Sequence, residues 1–309
     1  MAHTHIAHAI CFGKFSRSAV TCPLVFLLVA APLTAKPKQV SVPFTTNPDG
    51  LVIVPATAGG AISIHVILDT GAGLDVLAPS LIERLHGKPL SQFSGFRMTG
   101  ERLDIPLFII PELSVGPMVK KDAVVGSWDV LDKFHLDGII SVNDFRRQPF
   151  TFDFANKVLI FETPKTLAQR RATGKSSPLQ FDDQREITLD LFAWFLIGNL
   201  PGQCEIDTGS PSATVSTRYM ALLGIDKDGK DVRKHEGRTI AGAAEIRYDT
   251  SLPQISLTAA PQVSVAHSSV SFSDIIYDCV VGIDFWSGKA LTIDIADKQL
   301  IVSNPSPAH

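Results

Sequence analysis

Asp69-Thr70-Gly71 and Asp207-Thr208-Gly209 present the same acidic triplet twice, 138 residues apart. A carboxyl group can take a proton or give one, and hydrolysis of an amide by water asks for both acts, one on the water and one on the carbonyl oxygen. Two carboxyls that share a proton can divide that work, because oxygens held within about 3 Å of each other cannot both ionise. A single such triplet also reads as a turn, since Asp caps backbone groups and Gly accepts unusual dihedrals. Two copies in matching contexts have no turn explanation.

The elements that would position the triplets are repeated as well. Residues 65–69 align with 203–207, each entering the acid through an aliphatic residue, and residues 79–85 and 217–223 both read as a short helix after a strand. Farther on, Asp137-Gly138-Ile139-Ile140 matches Asp278-Cys279-Val280-Val281, and residues 151–157 match 292–298, now at an offset of 141. A period of that length far exceeds a solenoid unit and predicts two homologous lobes. Short β-rich runs bounded by Gly, Pro and Asp, such as Leu51-Val52-Ile53-Val54 and Val158-Leu159-Ile160-Phe161, predict a mostly β chain with few helices.

Paired Asp-Thr-Gly triplets, each followed some seventy residues later by two aliphatic residues, resemble the pepsin and retropepsin superfamily of aspartic peptidases, and the likeness covers nearly all of the chain after residue 35. Val280-Val281-Gly282 completes the hydrophobic-hydrophobic-Gly element of that family; lobe one departs from it, with Ser141 after Ile139-Ile140. The resemblance implies a bilobal fold of two β-barrel-like lobes with a cleft between them. It makes Asp69 and Asp207 one catalytic dyad that titrates as a unit. Thr70 and Thr208 would hydrogen-bond across the interface, and Gly71 and Gly209 would let backbone N–H groups approach the carboxyls. Ala72 stands where lobe two has Ser210, so a hydroxyl hydrogen bond is expected at Asp207 alone, making Asp207 the charged partner and Asp69 the proton carrier.

The family also closes a hairpin over bound peptide. The expected tips are residues 98–101, with Thr99 and Gly100, and residues 240–243, with Ala241 and Gly242, where Gly supplies the turn. All three tyrosines, Tyr219, Tyr248 and Tyr277, fall in lobe two, which favours a symmetric retropepsin-like cover over a single tyrosine-bearing flap. Cys204 and Cys279 lie on strands that run together in this family, leaving a disulfide or two buried thiols as alternatives. The aromatic run Phe192-Ala193-Trp194-Phe195 reads as core.

Lys14 and Arg17 precede an uncharged run over residues 18–35, which reads as an export signal cut after Ala35, or as a membrane anchor if uncut. The expected organisation is a signal at 1–35, lobe one at 36–162, an exposed linker with solvated basic residues at 163–178, lobe two at 179–303 and a tail at 304–309. A net charge of −3 without a sustained basic face argues against nucleic acid. No Cys/His spacing suggests a metal, so no cofactor is expected. The reading is a secreted or periplasmic monomeric endopeptidase acting on peptide or protein, touching membrane only through an uncut anchor. The alternative is a catalytically silent peptide-binding protein with the same cleft.

Overall fold

The computed structural model describes residues 39–184 and 187–307. The segment expected to direct export, residues 1–35, lies outside the described residues. Among those described, no helix is long and apolar enough to cross a membrane.

Two eight-stranded sheets dominate. In lobe one the strands run in the spatial order Thr45–Thr46, Val52–Ala58, Ile62–Asp69, Gly138–Ser141, Val76–Leu77, Met118–Ser127, Arg102–Val115 and Lys88–Phe96. Lobe two repeats that order strand for strand, from Gln180–Gln184 through Thr188–Ile197, Leu200–Ile206, Cys279–Val281, Ala213–Ser216, Ala260–Ser273 and Ala244–Leu257 to Arg233–Arg238. One further pairing curls each sheet back on itself, Thr57 with Ser114 in the first and Phe195 with Leu257 in the second. The chain is therefore mostly β and bilobal.

Alternation explains why these runs become strands. Val52, Val54 and Ala58 are fully buried while their neighbours are more exposed, and on the next strand Ile64, Val66 and Leu68 face the core, with Ile67 buried on the opposite side. In each lobe the strand that carries the acid is flanked in parallel by the aliphatic pair: Val66 to Asp69 runs beside Gly138 to Ser141, and Cys204 to Ile206 beside Cys279 to Val281. Cys204 and Cys279 face each other in that register and form a disulfide, with Cα atoms 4.5 Å apart. The expected short helices form at Pro79–Arg84, with Pro at its start, and at Arg218–Leu222.

A third, six-stranded sheet joins the lobes. Its two central strands, Phe150–Asp153 and Ala290–Asp294, come from opposite lobes and pair antiparallel. Thr151 and Thr292, equivalent in the repeat, share a 2.7 Å hydroxyl contact there. Equivalent residues touch only on the axis that relates the lobes, so this pair marks it.

The segment expected as a solvated linker is ordered. Pro164–Thr173 is a helix opened by a capping box between Thr163 and Thr166, and Lys175–Pro178 forms an edge strand against Gln299–Ser303. Its arginines are not free in solvent: Arg170 pairs with buried Glu162, and Arg171 with Asp294 and Asp297. The helix buries none of its own residues, so no apolar periodicity announced it. Beyond it, the tail is tied to lobe one by the Ser306 amide, which donates to Asp153 at 2.8 Å.

Candidate active site

Asp69 ends its strand and Asp207 directly follows the strand Leu200–Ile206, so each acid sits where a sheet opens into a turn. The two turns meet. Thr70 Oγ1 donates to the Ile206 carbonyl at 2.6 Å and accepts the Thr208 amide at 3.0 Å. Thr208 Oγ1 donates to the Leu68 carbonyl at 2.8 Å and accepts the Thr70 amide at 3.0 Å. Both threonines are fully buried, and four reciprocal bonds lock one lobe to the other directly beneath the acids.

Locked this way, the carboxyls hydrogen-bond to each other. The glycines make that approach possible, each under the opposite lobe's acid. A Cβ on Gly71 would come within 2.7 Å of Asp207 Cγ, and one on Gly209 would fall inside the Asp69 carboxyl. Within its own turn, Gly71 N–H donates to Asp69 Oδ1 at 2.9 Å and Gly209 N–H to Asp207 Oδ1 at 2.7 Å. Each acid keeps partial exposure, so the pair stands at an opening.

The hydroxyl hydrogen bond expected from Ser210 to Asp207 does not form. Ser210 Oγ donates to the Ser212 carbonyl at 3.1 Å, so Asp207 is supported by the backbone N–H groups of Gly209 and Ser210 and not by the hydroxyl. Burial raises both carboxyls above the ordinary value of 3.8. Asp69 is held back by the hydrogen bond from Asp207 and by the N–H groups of Gly71, Gly209 and Ala72. Asp207 is pushed well up by burial and then by the charge of Asp69. Burial together with the neighbouring charge makes the pair share one proton and titrate as a unit.

The departure at Ser141 is accommodated locally. In lobe two a Cβ at Gly282 would meet the backbone of Ser210 and Ser212 at 2.6 to 2.7 Å. In lobe one the Ser141 amide donates to Asp75 at 2.9 Å and its hydroxyl caps the turn Val142–Phe145. Asp75 is buried beside Asp144 and Lys120, and burial with the Asp144 charge raises it to about 8.

Both expected hairpin tips form. Gly100 and Gly242 take positive φ of 77° and 98°. Thr99 Oγ1 and Thr239 Oγ1 donate to the two oxygens of Glu101 at 2.9 and 3.0 Å, which joins the hairpins of the two lobes. The lobe-one tip is also pinned by the Ile276 amide, which donates to the Met98 carbonyl at 2.8 Å, one residue from Tyr277. Ala241 and Gly242 remain exposed. A cavity of about 750 Å³ lies between the lobe-two hairpin and the helix Arg218–Leu222; it is lined by Thr99, Glu101 and Tyr248 but not by the two carboxyls.

Sequence reasoning passed over three residues beside the pair. Burial, and then the charges of Asp207, Asp190 and Asp69, lift Glu205 well above its ordinary value. Asp190 is raised to about 7 by burial, Asp182 and Asp69. The Tyr277 phenol is raised by burial and the nearby Glu205 and Asp190. The available signal was an acid at position 205 where lobe one has Ile67. Among the described residues, no cluster of three or more His, Cys, Asp or Glu side chains could hold a metal ion.

No family model and no curated protein matches the chain by sequence. Solved structures do match in fold. EDGP, a carrot extracellular dermal glycoprotein, superposes with a TM-score of 0.53 at 10% identity, over 87% of this chain and 95% of its own. Conglutin gamma, a basic 7S globulin from lupine seeds, gives 0.51 at 10% identity, over 88% of this chain and 96% of its own. The chain thus has a bilobal, mostly β architecture similar to these distant relatives of the pepsin-like fold.

Proposed function

We propose that the protein is an aspartic endopeptidase that hydrolyses peptide bonds with a water held between Asp69 and Asp207. One observation carries the reading: reciprocal threonine bonds and crossed glycines bring two carboxyls from equivalent turns of opposite lobes against each other. Asp69 takes a proton from the water as its oxygen bonds to the scissile carbonyl carbon, and Asp207 gives its proton to the carbonyl oxygen. When the C–N bond breaks, Asp69 passes its proton to the leaving nitrogen and the hydroxyl proton returns to Asp207. The pair ends as it began. The peptide lies extended in the cleft, held by main-chain hydrogen bonds.

Activity requires one proton on the pair, so rate against pH is bell-shaped. Burial raises both carboxyls, which places the acid limb above 3.8. The test is a peptide library offered to the protein lacking residues 1–35, with Asp207→Asn and a transition-state analogue inhibitor as controls. Cleavage abolished by both supports the reading; products that persist in the Asn variant sink it. The occurrence of this fold in a seed globulin favours one second reading, a peptide binder without hydrolysis. Peptide binding with no product between acidic and neutral pH would establish that instead. Export to the periplasm or medium, as a monomer, belongs to the same proposal.

A further inference from the structure

The floor of the cleft differs between the lobes. On the lobe-two strand Thr188–Ile197, Leu189, Leu191 and Ala193 are fully buried in the core, so Thr188, Asp190 and Phe192 occupy the other face. Phe192 pairs directly with Glu205, which puts Glu205 on that face too, on the side of its strand that carries Asp207. In lobe one the matching register pairs Ile53 with Ile67. An apolar surface beside Asp69 is answered by an acidic one beside Asp207.

Among the described residues this acidic surface lacks a cationic partner. Glu205 is 4% exposed, yet no hydrogen bond or ion pair engages it among the described residues, and none of their Lys, Arg or His side chains pairs with Asp190. Independently, on the same face, buried Thr188 leaves Oγ1 without a hydrogen-bond partner among the described residues. Thr188 and Asp190 both abut the turn that follows Asp69, since a Cβ at Gly73 would lie 2.9 Å from Thr188 Cβ and 3.4 Å from Asp190 Oδ1. Tyr277 and Phe192, ring centroids 5.1 Å apart and nearly perpendicular, wall the patch with aromatic surface along which an alkyl chain can lie. A buried Glu205 and a part-buried Asp190, neither paired with a cation among the described residues, at the end of an aromatic wall suit an ammonium or guanidinium on a flexible stem.

We propose that Glu205 and Asp190 form a specificity subsite that takes a lysine or arginine side chain flanking the scissile bond, while the surface around Ile53 and Ile67 takes an apolar residue on the other side. The proposal rests on the peptide-cleft reading above.

The test compares peptides that differ only by lysine or norleucine at each position flanking the cut. The wild type is set beside Glu205→Ile, which copies lobe one, and Asp190→Leu, with thermal unfolding confirming that each variant is folded. Binding of the same pairs as uncleavable reduced-amide peptides is measured in parallel by calorimetry. The wild type is expected to prefer lysine at one position on the order of tenfold or more, and each variant to lose that preference. Cleavage with equal rates for lysine and norleucine overturns the subsite and leaves the peptidase standing. A lysine preference in binding that vanishes in Glu205→Ile, with no cleavage, keeps the subsite and removes the peptidase. Absence of both cleavage and peptide binding overturns both.

Discussion

Each acid here is shaped by a glycine it does not adjoin in sequence. Gly209 lies under Asp69 and Gly71 under Asp207, so even a methyl group would part the carboxyls. Gly209→Ala is expected to lower the rate by about a hundredfold or more, as misplacements near 1 Å do, and to flatten the acid limb of the pH profile. Wild-type rates in that variant, measured on any peptide the parent cuts, would contradict the shared-proton site. The pairing of the acids was legible because the triplet recurs in matching surroundings. The partner of the Ser210 hydroxyl was not, because that hydroxyl rotates freely about its own bond and found the Ser212 carbonyl rather than Asp207. Glu205 and Asp190 escaped for a different reason: their proximity depends on strand register across the sheet, which no local pattern encodes.

Among the elements, the paired turns matter most for rigidity. Replacing Thr208 with Val keeps the shape but orphans the buried Leu68 carbonyl and Thr70 amide, so a loss of about 2 kcal/mol is expected by urea unfolding, with Thr208→Ser close to wild type. A valine variant as stable as its parent would show that these bonds do not hold the lobes. Strands and short helices were readable from alternation and from Pro79, whose missing N–H suits a helix start. The connecting helix was hidden because its stability comes from its capping box and from ion pairs to Glu162 and Asp294, residues distant or unremarkable in sequence.

Across the whole molecule, buried carboxyls set the response to pH. Asp190 and Asp75 sit near 7 and 8 in the fold, against 3.8 for an ordinary aspartate. Between those limits the folded protein holds protons that the unfolded chain has released, so stability declines as pH rises from about 4 to 8. The surface acids Glu101 and Asp104 are lowered instead, and their influence is confined to more acidic solution. Unfolding free energies from urea melts at pH 5 and 8 are expected to differ by a few kcal/mol, on the order that such linkage allows, with the lower free energy and midpoint at pH 8 and a shallower slope in Asp190→Asn. A midpoint that rises over this interval would refute the assignment. The duplicated plan of the molecule was readable from the repeat offset alone, whereas the sheet shared by both lobes was not, since nothing in either copy announces that Thr151 will meet Thr292.

That shared sheet has a topological consequence. Three of its strands, Val40–Pro43, Val158–Phe161 and Phe150–Asp153, precede the connecting helix, and the other three, Lys175–Pro178, Ala290–Asp294 and Gln299–Ser303, follow it. A protease nick within the helix would sever the covalent thread without undoing the seam, because the two fragments stay zipped along Phe150–Asp153 and Ala290–Asp294 and clasped again at Thr70 and Thr208. The chain behaves as a fused dimer, and its connector is a tether rather than the thing that keeps the halves in place.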